Sequence, residues 1–192
     1  MAYHRLGSLE NYNFSTQESL EVVHQCLKAL EYLEYKTIFH RDIKEDNILM
    51  KSASPLFVCL ADFGIAVTRN EGAVHGGQLS HVAIEVYQGG RFTYICDIWS
   101  LGVTALYLLD RFPRVEAQCF HARNQDPARV AVYYSKLLSE ASSLPGHIGG
   151  LVNNMICAPV ARWTAARCLR YLEEGANAEP LRRRPSRFRS RR

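Results

Sequence analysis

The amino-acid sequence predicts a mainly α-helical fold with one short β-hairpin beside a polar loop. Apolar side chains recur at helical spacing near the start of the chain, and four segments of the second half repeat this pattern. Between them, two short apolar runs separated by a turn follow a densely charged stretch. With 192 residues, 47% of them hydrophobic, the chain is able to bury one substantial core.

The first helix is predicted over residues 15–36. Ser15 and Glu18 have the spacing of a capping box, which places the helix start at Ser15. Apolar residues then recur every three or four positions, so one face of the helix must be buried. These residues are Leu20, Val23, Leu27, Leu30 and Leu33.

The middle of the chain predicts a loop, a hairpin and a second, longer loop. Residues 40–47 are too charged for a strand, and the apolar runs 48–50 and 56–60 flank a turn that contains Pro55. Residues 64–81 are rich in glycine and polar groups, which is typical of a long functional loop. Helices are then predicted near 96–110, 128–141, 148–157 and 164–174, and the first is apolar nearly all round, which predicts a central position.

Charge, cysteine content and hydropathy exclude several classes of protein. Residues 181–192 hold seven arginines and no acid, whereas the other 180 residues carry 16 basic and 19 acidic side chains. The six cysteines form no C-x-x-C pair, so we expect reduced, mostly buried thiols. The chain has neither a signal-peptide pattern nor the ~20-residue apolar run of a membrane span. We expect an intracellular protein, cytoplasmic or nuclear, without a membrane partner.

The densest chemical signal is the sequence HRDIKEDN at 40–47, followed by DFG at 62–64. These motifs resemble the catalytic loop and metal-binding turn of protein kinases. The alternative, a charged surface turn that reads this way by chance, is disfavoured by the number of matching positions. The chain is therefore identified as similar to the C-terminal lobe of a eukaryotic-type Ser/Thr protein kinase, which implies a mainly α lobe with a short β-hairpin near the catalytic loop.

The resemblance implies a role for each polar residue of the two motifs. Asp42 would accept or orient the substrate hydroxyl, and Asn47 and Asp62 would hold Mg²⁺ against the phosphates of ATP. Lys44 would place a positive charge near the transferred phosphoryl group. A lysine at this position is typical of Ser/Thr kinases, so the implied partner is a protein substrate with serine or threonine.

The same resemblance implies structural roles for four neighbouring residues. His40 and Phe63 would form a packing pair, and Gly64 would give the turn its flexible backbone. Arg41 suggests an activation loop that a phosphate can order, although a local pair with an acid is an equally good interpretation. The candidate phosphate acceptors are Thr68 and Ser80.

Two motifs downstream extend the resemblance. Residues 83–85 read Ala-Ile-Glu and resemble the Ala-Pro-Glu that ends the kinase activation segment, with isoleucine in place of proline. Glu85 would then form the buried ion pair of the family with Arg162. Residues 97–102 resemble the start of the family's central helix, where Asp97 would brace the backbone of the catalytic loop.

The first residues resemble the kinase hinge. The backbone of Ala2, Tyr3 and His4 would face an adenine, and Leu49 would form the floor of the adenine pocket or, alternatively, belong to the ordinary core. The resemblance thus divides the chain into three parts, which are a hinge-like segment at 1–12, a kinase C-terminal lobe at 13–174 and a basic, disordered tail at 175–192.

Several features of the family pattern are missing. The sequence contains no G-x-G-x-x-G loop and no lysine in a strand ahead of a glutamate-bearing helix, so the phosphate anchor has no candidate. Gln78 and His81 occupy positions where the family usually has threonine and an aromatic residue, which makes substrate choice uncertain. We expect a truncated product or an incomplete gene model, with impaired transfer by this chain alone.

A lobe without its partner would also expose apolar surface, which predicts either self-association or a partner that replaces the N-terminal lobe. The alternative function is therefore a non-catalytic, kinase-like binding module. The arginine-rich tail is able to attract nucleic acid or acidic surfaces. We favour a solvated, disordered tail instead.

Overall fold

The computed structural model of the protein describes residues 6–68, 77–121, 125–178 and 189–190. Within these ranges most residues are helical, and the strands are short and form three separate antiparallel pairs. The predicted mainly α fold class is confirmed. The helices are α1 (Thr16–Tyr35), α2 (Ile84–Tyr87), α3 (Tyr94–Leu108), α4 (Arg114–Ala117), α5 (Pro127–Ser143), α6 (Gly146–Met155) and α7 (Ala165–Ala178). The strands are β1 (Tyr12–Asn13), β2 (Ile38–Phe39), β3 (Ile48–Ala53), β4 (Leu56–Leu60), β5 (Val67–Thr68) and β6 (Arg189–Ser190).

Helix α1 begins at the predicted capping box. The backbone N–H of Glu18 donates to Ser15 Oγ at 3.3 Å, and the backbone N–H of Ser15 donates to the Glu18 carboxylate at 2.8 Å. The buried face of α1 packs against β4, α3 and α7. Its buried apolar residues are Val22, Val23, Cys26, Leu27, Leu30 and Leu33.

Helix α3 is the central helix that its all-round apolar sequence predicts. Every residue from Cys96 to Leu108 is buried, and Trp99 is among the largest fully buried side chains. The helix packs against α1, α5 and α6. Because its first turn carries Asp97, this rigid helix presents one buried carboxyl group to the loop at 40–47.

The predicted hairpin consists of β3 and β4, and it determines where the polar loop lies. The register pairs Ile48 with Leu60, so the residue before β3 and the residue after β4 lie at the same end of the hairpin. The backbone N–H of Ala61 donates to the carbonyl of Asn47 at 2.8 Å, which extends this pairing by one step. The hairpin therefore brings the 40–47 loop and the 62–64 turn together.

The predicted long loop at 64–81 contains short regular elements. Strand β5 pairs with β2, with Phe39 opposite Val67, and a 3₁₀ turn spans Leu79–His81. Helices α2 and α4 have only four residues each and were not predicted, because apolar periodicity cannot be recognised in one turn.

Strand β1 pairs with β6, which lies in the predicted tail; the remainder of that tail beyond Ala178 is outside the described residues. All six cysteines are free thiols, and four of them are buried. In the part of the chain that the structure describes, no helix is both long and apolar enough to cross a bilayer.

Candidate active site

Asp42 lies at the centre of a group of hydrogen-bond donors. The side-chain amide of Asn47 donates to Asp42 Oδ2 at 2.7 Å and to the Asp42 carbonyl at 2.9 Å. Lys44 Nζ is 3.1 Å from the same Oδ2, and the backbone N–H of Gln78 donates to Oδ1 at 3.1 Å. Three donors thus fix both carboxylate oxygens, which orients Asp42 as an acceptor for a further proton donor.

Asp62 is held in an uncommon backbone conformation just after β4. Its φ of 59° lies in the left-handed region, which is costly for a residue with a side chain and is often found at functional sites. The backbone N–H of Gly64 donates to Asp62 Oδ1 at 3.1 Å, and the Asp62 side chain is exposed. The turn therefore presents this carboxylate to solvent at the end of the hairpin where Asn47 lies.

Asn47 and Asp62 are suited to a magnesium ion by the chemistry of their donor atoms. The Asn47 amide nitrogen makes the two bonds to Asp42, which leaves its amide oxygen available as a ligand. Mg²⁺ prefers such hard oxygen ligands and usually combines one or two carboxylates with waters and substrate phosphates. Across the described ranges no cluster of three His, Cys, Asp or Glu side chains is able to hold a metal by itself. Waters and substrate phosphates would complete the coordination.

Asp97 holds the backbone at the start of the loop at 40–47. Its carboxyl oxygens accept hydrogen bonds from the backbone N–H groups of His40 and Arg41, both at 2.9 Å. Burial raises the pKa of Asp97 to about 7, although the two N–H donors act in the opposite direction. The structure thus places Asp97 beneath the loop, where it contacts the backbone and not the Asp42 carboxylate.

His40 and Phe63 are in ring contact, with centroids 4.6 Å apart. Burial lowers the pKa of His40, so the imidazole is neutral at neutral pH. In that state Nε2–H donates to the carbonyl of Ala61 at 3.1 Å, and Nδ1 accepts the backbone N–H of Asp42 at 3.4 Å. His40 therefore links the loop at 40–47 to the end of β4 that leads to Asp62. The Phe63 side chain itself is 47% exposed.

Arg41 is buried beside the loop that follows the hairpin. Its Nη1 donates to the carbonyl of Ile65 at 3.3 Å, and its guanidinium lies 6.0 Å from the ring centre of Phe92. The two candidate phosphate acceptors differ in accessibility, since Thr68 is exposed in β5 whereas Ser80 is 6% exposed and hydrogen-bonded. Phosphorylation of Ser80 would require the segment that contains it to move.

Glu85 and Arg162 form a bidentate ion pair across 77 positions of sequence. Nη1 of Arg162 lies 2.5 Å from Glu85 Oε1, and Nη2 donates to Oε2 at 3.0 Å. The guanidinium also lies 4.9 Å from the Trp99 ring centre, which places the pair against the central helix α3. This geometry joins the end of the 77–85 segment to the loop that precedes α7.

The hinge-like residues Ala2, Tyr3 and His4 lie outside the described residues. Leu49 lies in β3, is partly buried, and forms an isolated bridge with Ser8. Ser8, which lies within the hinge-like segment at 1–12, therefore contacts the strand in which the sequence predicts the adenine floor.

Two residues of the site were not assigned a role from the sequence. Glu45 and His81 are both buried, and His81 Nε2 lies 3.0 Å from Glu45 Oε2. The only signal in the sequence was that His81 departs from the family pattern. Nothing local indicated its partner, which lies 36 positions away.

The β-hairpin of this helical lobe brings a hydrogen-bonded aspartate and two side chains with oxygen donor atoms to one edge, an arrangement suited to phosphoryl transfer. The protein kinase domain family matches residues 2–172 of the sequence. The chain therefore belongs to the protein kinase family.

Individual proteins that are similar to this chain are named as kinases. The chain is 35% identical to the Serine/threonine-protein kinase pakG of Dictyostelium discoideum over 81% of its own length and 13% of that protein. It is 29% identical to a probable myosin light chain kinase of the same organism, over 84% of this chain and 47% of that protein. It is 26% identical to calcium/calmodulin-dependent protein kinase type 1 of Caenorhabditis briggsae, over 83% of this chain and 45% of that protein. The chain thus spans less than half the length of each of these relatives.

Proposed function

We propose that the chain catalyses transfer of the γ-phosphoryl group of ATP to serine and threonine hydroxyls of protein substrates. The observation that carries this proposal is the group of donors around Asp42, in which Lys44 and Asn47 bind one carboxylate oxygen. Membership of the protein kinase family supports the reaction class, and it implies protein substrates.

The proposed chemistry assigns one task to each residue. The substrate hydroxyl oxygen forms a bond to the γ-phosphorus while the bond from that phosphorus to the β,γ-bridging oxygen breaks and ADP leaves. Asp42 orients the hydroxyl and receives its proton. Lys44 balances negative charge beside the reacting phosphoryl group. Asn47 and Asp62 would hold Mg²⁺, which neutralises charge on the phosphates when it is bound.

The direct test is Mg-ATP turnover with a generic basic protein substrate. Transfer that is lost in the Asp42→Asn variant supports the proposal, since this variant keeps the side-chain size but removes the proton acceptor. Glu140→Gln is a matched control, because Glu140 is a carboxylate of α5 that pairs with Arg111 and Lys136 away from the site. Transfer that persists in Asp42→Asn would contradict the assigned role. Impaired transfer by the 192-residue chain alone stays a prediction.

A non-catalytic binding module is the second candidate, and an apolar groove between α1 and β4 favours it. The groove has a volume of about 290 Å³, and the exposed ring of Phe63 forms part of its lining. An apolar partner segment or a second copy of the chain would suit this lining. Association measured by sedimentation that is unchanged by Asp42→Asn but lost in Leu60→Ser would support this candidate. The residues that line the groove are Gln25, Cys26, Ala29, Tyr32, Leu33, Val58, Cys59, Leu60 and Phe63.

A further inference from the structure

A chain of hydrogen-bonded polar side chains, buried except at Gln78, connects the segment 77–82 to the catalytic loop. Nε2 of Gln78 donates to Ser80 Oγ at 3.2 Å, and Ser80 Oγ lies 3.2 Å from Nδ1 of His81. Nε2 of His81 then lies 3.0 Å from Oε2 of Glu45, which belongs to the catalytic loop. Ser80, His81 and Glu45 are all less than 9% exposed, so water does not compete freely for these bonds.

The contact with His81 determines the ionisation state of Glu45 at the loop end of this chain. Burial alone would raise the pKa of Glu45, but the hydrogen bond and charge of His81, together with Arg114, bring it below the ordinary value. Glu45 is therefore a carboxylate that accepts the Nε2–H of His81. The other ring nitrogen of His81, Nδ1, pairs with Ser80 Oγ, which in turn accepts a hydrogen bond from Nε2 of Gln78.

The backbone of the segment is fixed from the opposite side by hydroxyl groups. Ser100 Oγ donates to the carbonyl of His81 at 2.8 Å, and the Tyr134 hydroxyl donates to the carbonyl of Val82 at 3.0 Å. The Tyr133 hydroxyl donates to the carbonyl of Ser80. These donors come from α3 and α5, so they hold the segment to the helical core and leave its position relative to the catalytic loop to other contacts.

Two hydrogen bonds supply that connection to the catalytic loop. In the first, the backbone N–H of Gln78 donates to Asp42 Oδ1 at 3.1 Å. The second joins Nε2 of His81 to Oε2 of Glu45. Asp42 and Glu45 are three residues apart, so the two bonds fix both the position and the orientation of the loop against the segment. Displacement of the segment would therefore remove one of the donors that orient Asp42.

We propose that Glu45 and His81 are positioning residues that keep the 77–82 segment in register with the catalytic loop and so hold Asp42 and the acceptor peptide in reacting geometry. This inference rests on the proposed kinase function. Neither residue touches the reacting atoms. Their effect passes through the Gln78 N–H to the Asp42 carboxylate.

The test combines hydrogen exchange with transfer kinetics on four variants. Glu45→Ala and His81→Phe each leave a buried polar partner unpaired. Glu45→Gln keeps an oxygen that is able to accept from His81, so it serves as the conservative variant. The double variant Glu45→Leu with His81→Phe replaces the pair by apolar groups, which commonly restores stability. Val152→Ala, in the buried face of α6, controls for destabilisation elsewhere.

A positioning role predicts faster amide exchange in residues 77–82 and a fall in kcat of about 10- to 100-fold for Glu45→Ala. Glu45→Gln should remain close to wild type. The double variant should recover its melting temperature but neither its exchange protection nor its kcat. Recovery of all three by the double variant would show that the pair only stabilises the fold, and this would overturn the inference.

Exchange also separates this inference from the proposed function. If the wild-type protein transfers no phosphate in an Asp42-dependent manner, the proposed function fails while the exchange measurement still reports on the register of the segment. Unchanged exchange of the Gln78 and His81 amides in Glu45→Ala would overturn the inference whatever the transfer result.

Discussion

The ion pair between Glu85 and Arg162 gives a prediction whose size follows from the structure. The Arg162 side chain has no solvent exposure, and that of Glu85 is 21% exposed. The guanidinium makes five hydrogen bonds, two to Glu85, two to the Cys157 carbonyl and one to the Ile95 carbonyl. Truncation of Glu85 leaves this cation buried, with three carbonyl bonds and the face of Trp99 as its remaining partners.

Breaking a buried pair from one side costs roughly 3–5 kcal/mol, because the remaining charge keeps its desolvation penalty. The partial exposure of Glu85 lets water approach the gap, so we expect about 3 kcal/mol for Glu85→Ala. For a chain of this length that corresponds to a fall in melting temperature of roughly 6–12 °C. Urea titration followed by far-UV circular dichroism measures the free energy of unfolding directly.

Two further variants make the measurement specific. Arg111→Ala breaks a pair of 3.4 Å whose arginine is 49% exposed, and we expect a loss below about 1 kcal/mol. Glu85→Leu combined with Arg162→Met removes both charges and should recover part of the loss. A smaller loss of stability for Glu85→Ala than for Arg111→Ala would show that burial does not make the Glu85–Arg162 pair costly to break.

Three other predictions concern the loop, the segment beside it and one thiol. Burial raises the pKa of Asp97 from 3.8 to about 7, so the folded protein keeps a proton that the unfolded chain releases. The contribution of Asp97 to the free energy of unfolding therefore falls as pH rises from about 4 to about 7. Over that range the free energies of unfolding of the wild type and of Asp97→Asn should approach each other. A difference between the two proteins that stays constant in urea titrations would contradict this. Gly77 has a φ of 94°, and a Cβ there would overlap the Arg41 carbonyl, whereas Gly89 has a φ of 88° with open space around it. Gly77→Ala should therefore lower the free energy of unfolding by about 1–3 kcal/mol and reduce the rate of phosphoryl transfer. If Gly89→Ala reduces stability and transfer equally, the cause is not steric. Burial raises the pKa of the Cys26 thiol to about 12, so iodoacetamide should modify it at pH 8 only on unfolding, as mass spectrometry of native and denatured protein will show.

The sequence predicted the elements whose physical signal is local. Helix α1 was readable because the Ser15–Glu18 box and the apolar repeat both lie within one helix. The hairpin was readable because two apolar runs flank Pro55. Helix α2 and the β2–β5 pairing were missed, because one helical turn has no period and pairing of Phe39 with Val67 depends on tertiary packing.

Residues of the candidate site that belong to a short sequence motif were predictable. Residues whose role depends on a contact between distant parts of the sequence were not. Asp42, Asn47 and Asp62 follow from two short motifs that the hairpin brings to one end. Glu45 and His81 form a pair although they lie 36 positions apart, and neither residue type by itself indicates its partner. Binding of adenine near Leu49, an intracellular location and the behaviour of the tail stay predictions.

We propose that Asn47 and Asp62 offer oxygen ligands to a divalent ion on ATP beside Asp42. Electron paramagnetic resonance of Mn²⁺ with a non-hydrolysable ATP analogue measures this binding, with Asp46→Asn as a control in the same loop. We expect Asp62→Ala and Asn47→Ala each to weaken nucleotide-dependent Mn²⁺ binding, while the control binds Mn²⁺ like wild type. Equal Mn²⁺ binding in all four proteins would show that neither residue is a ligand.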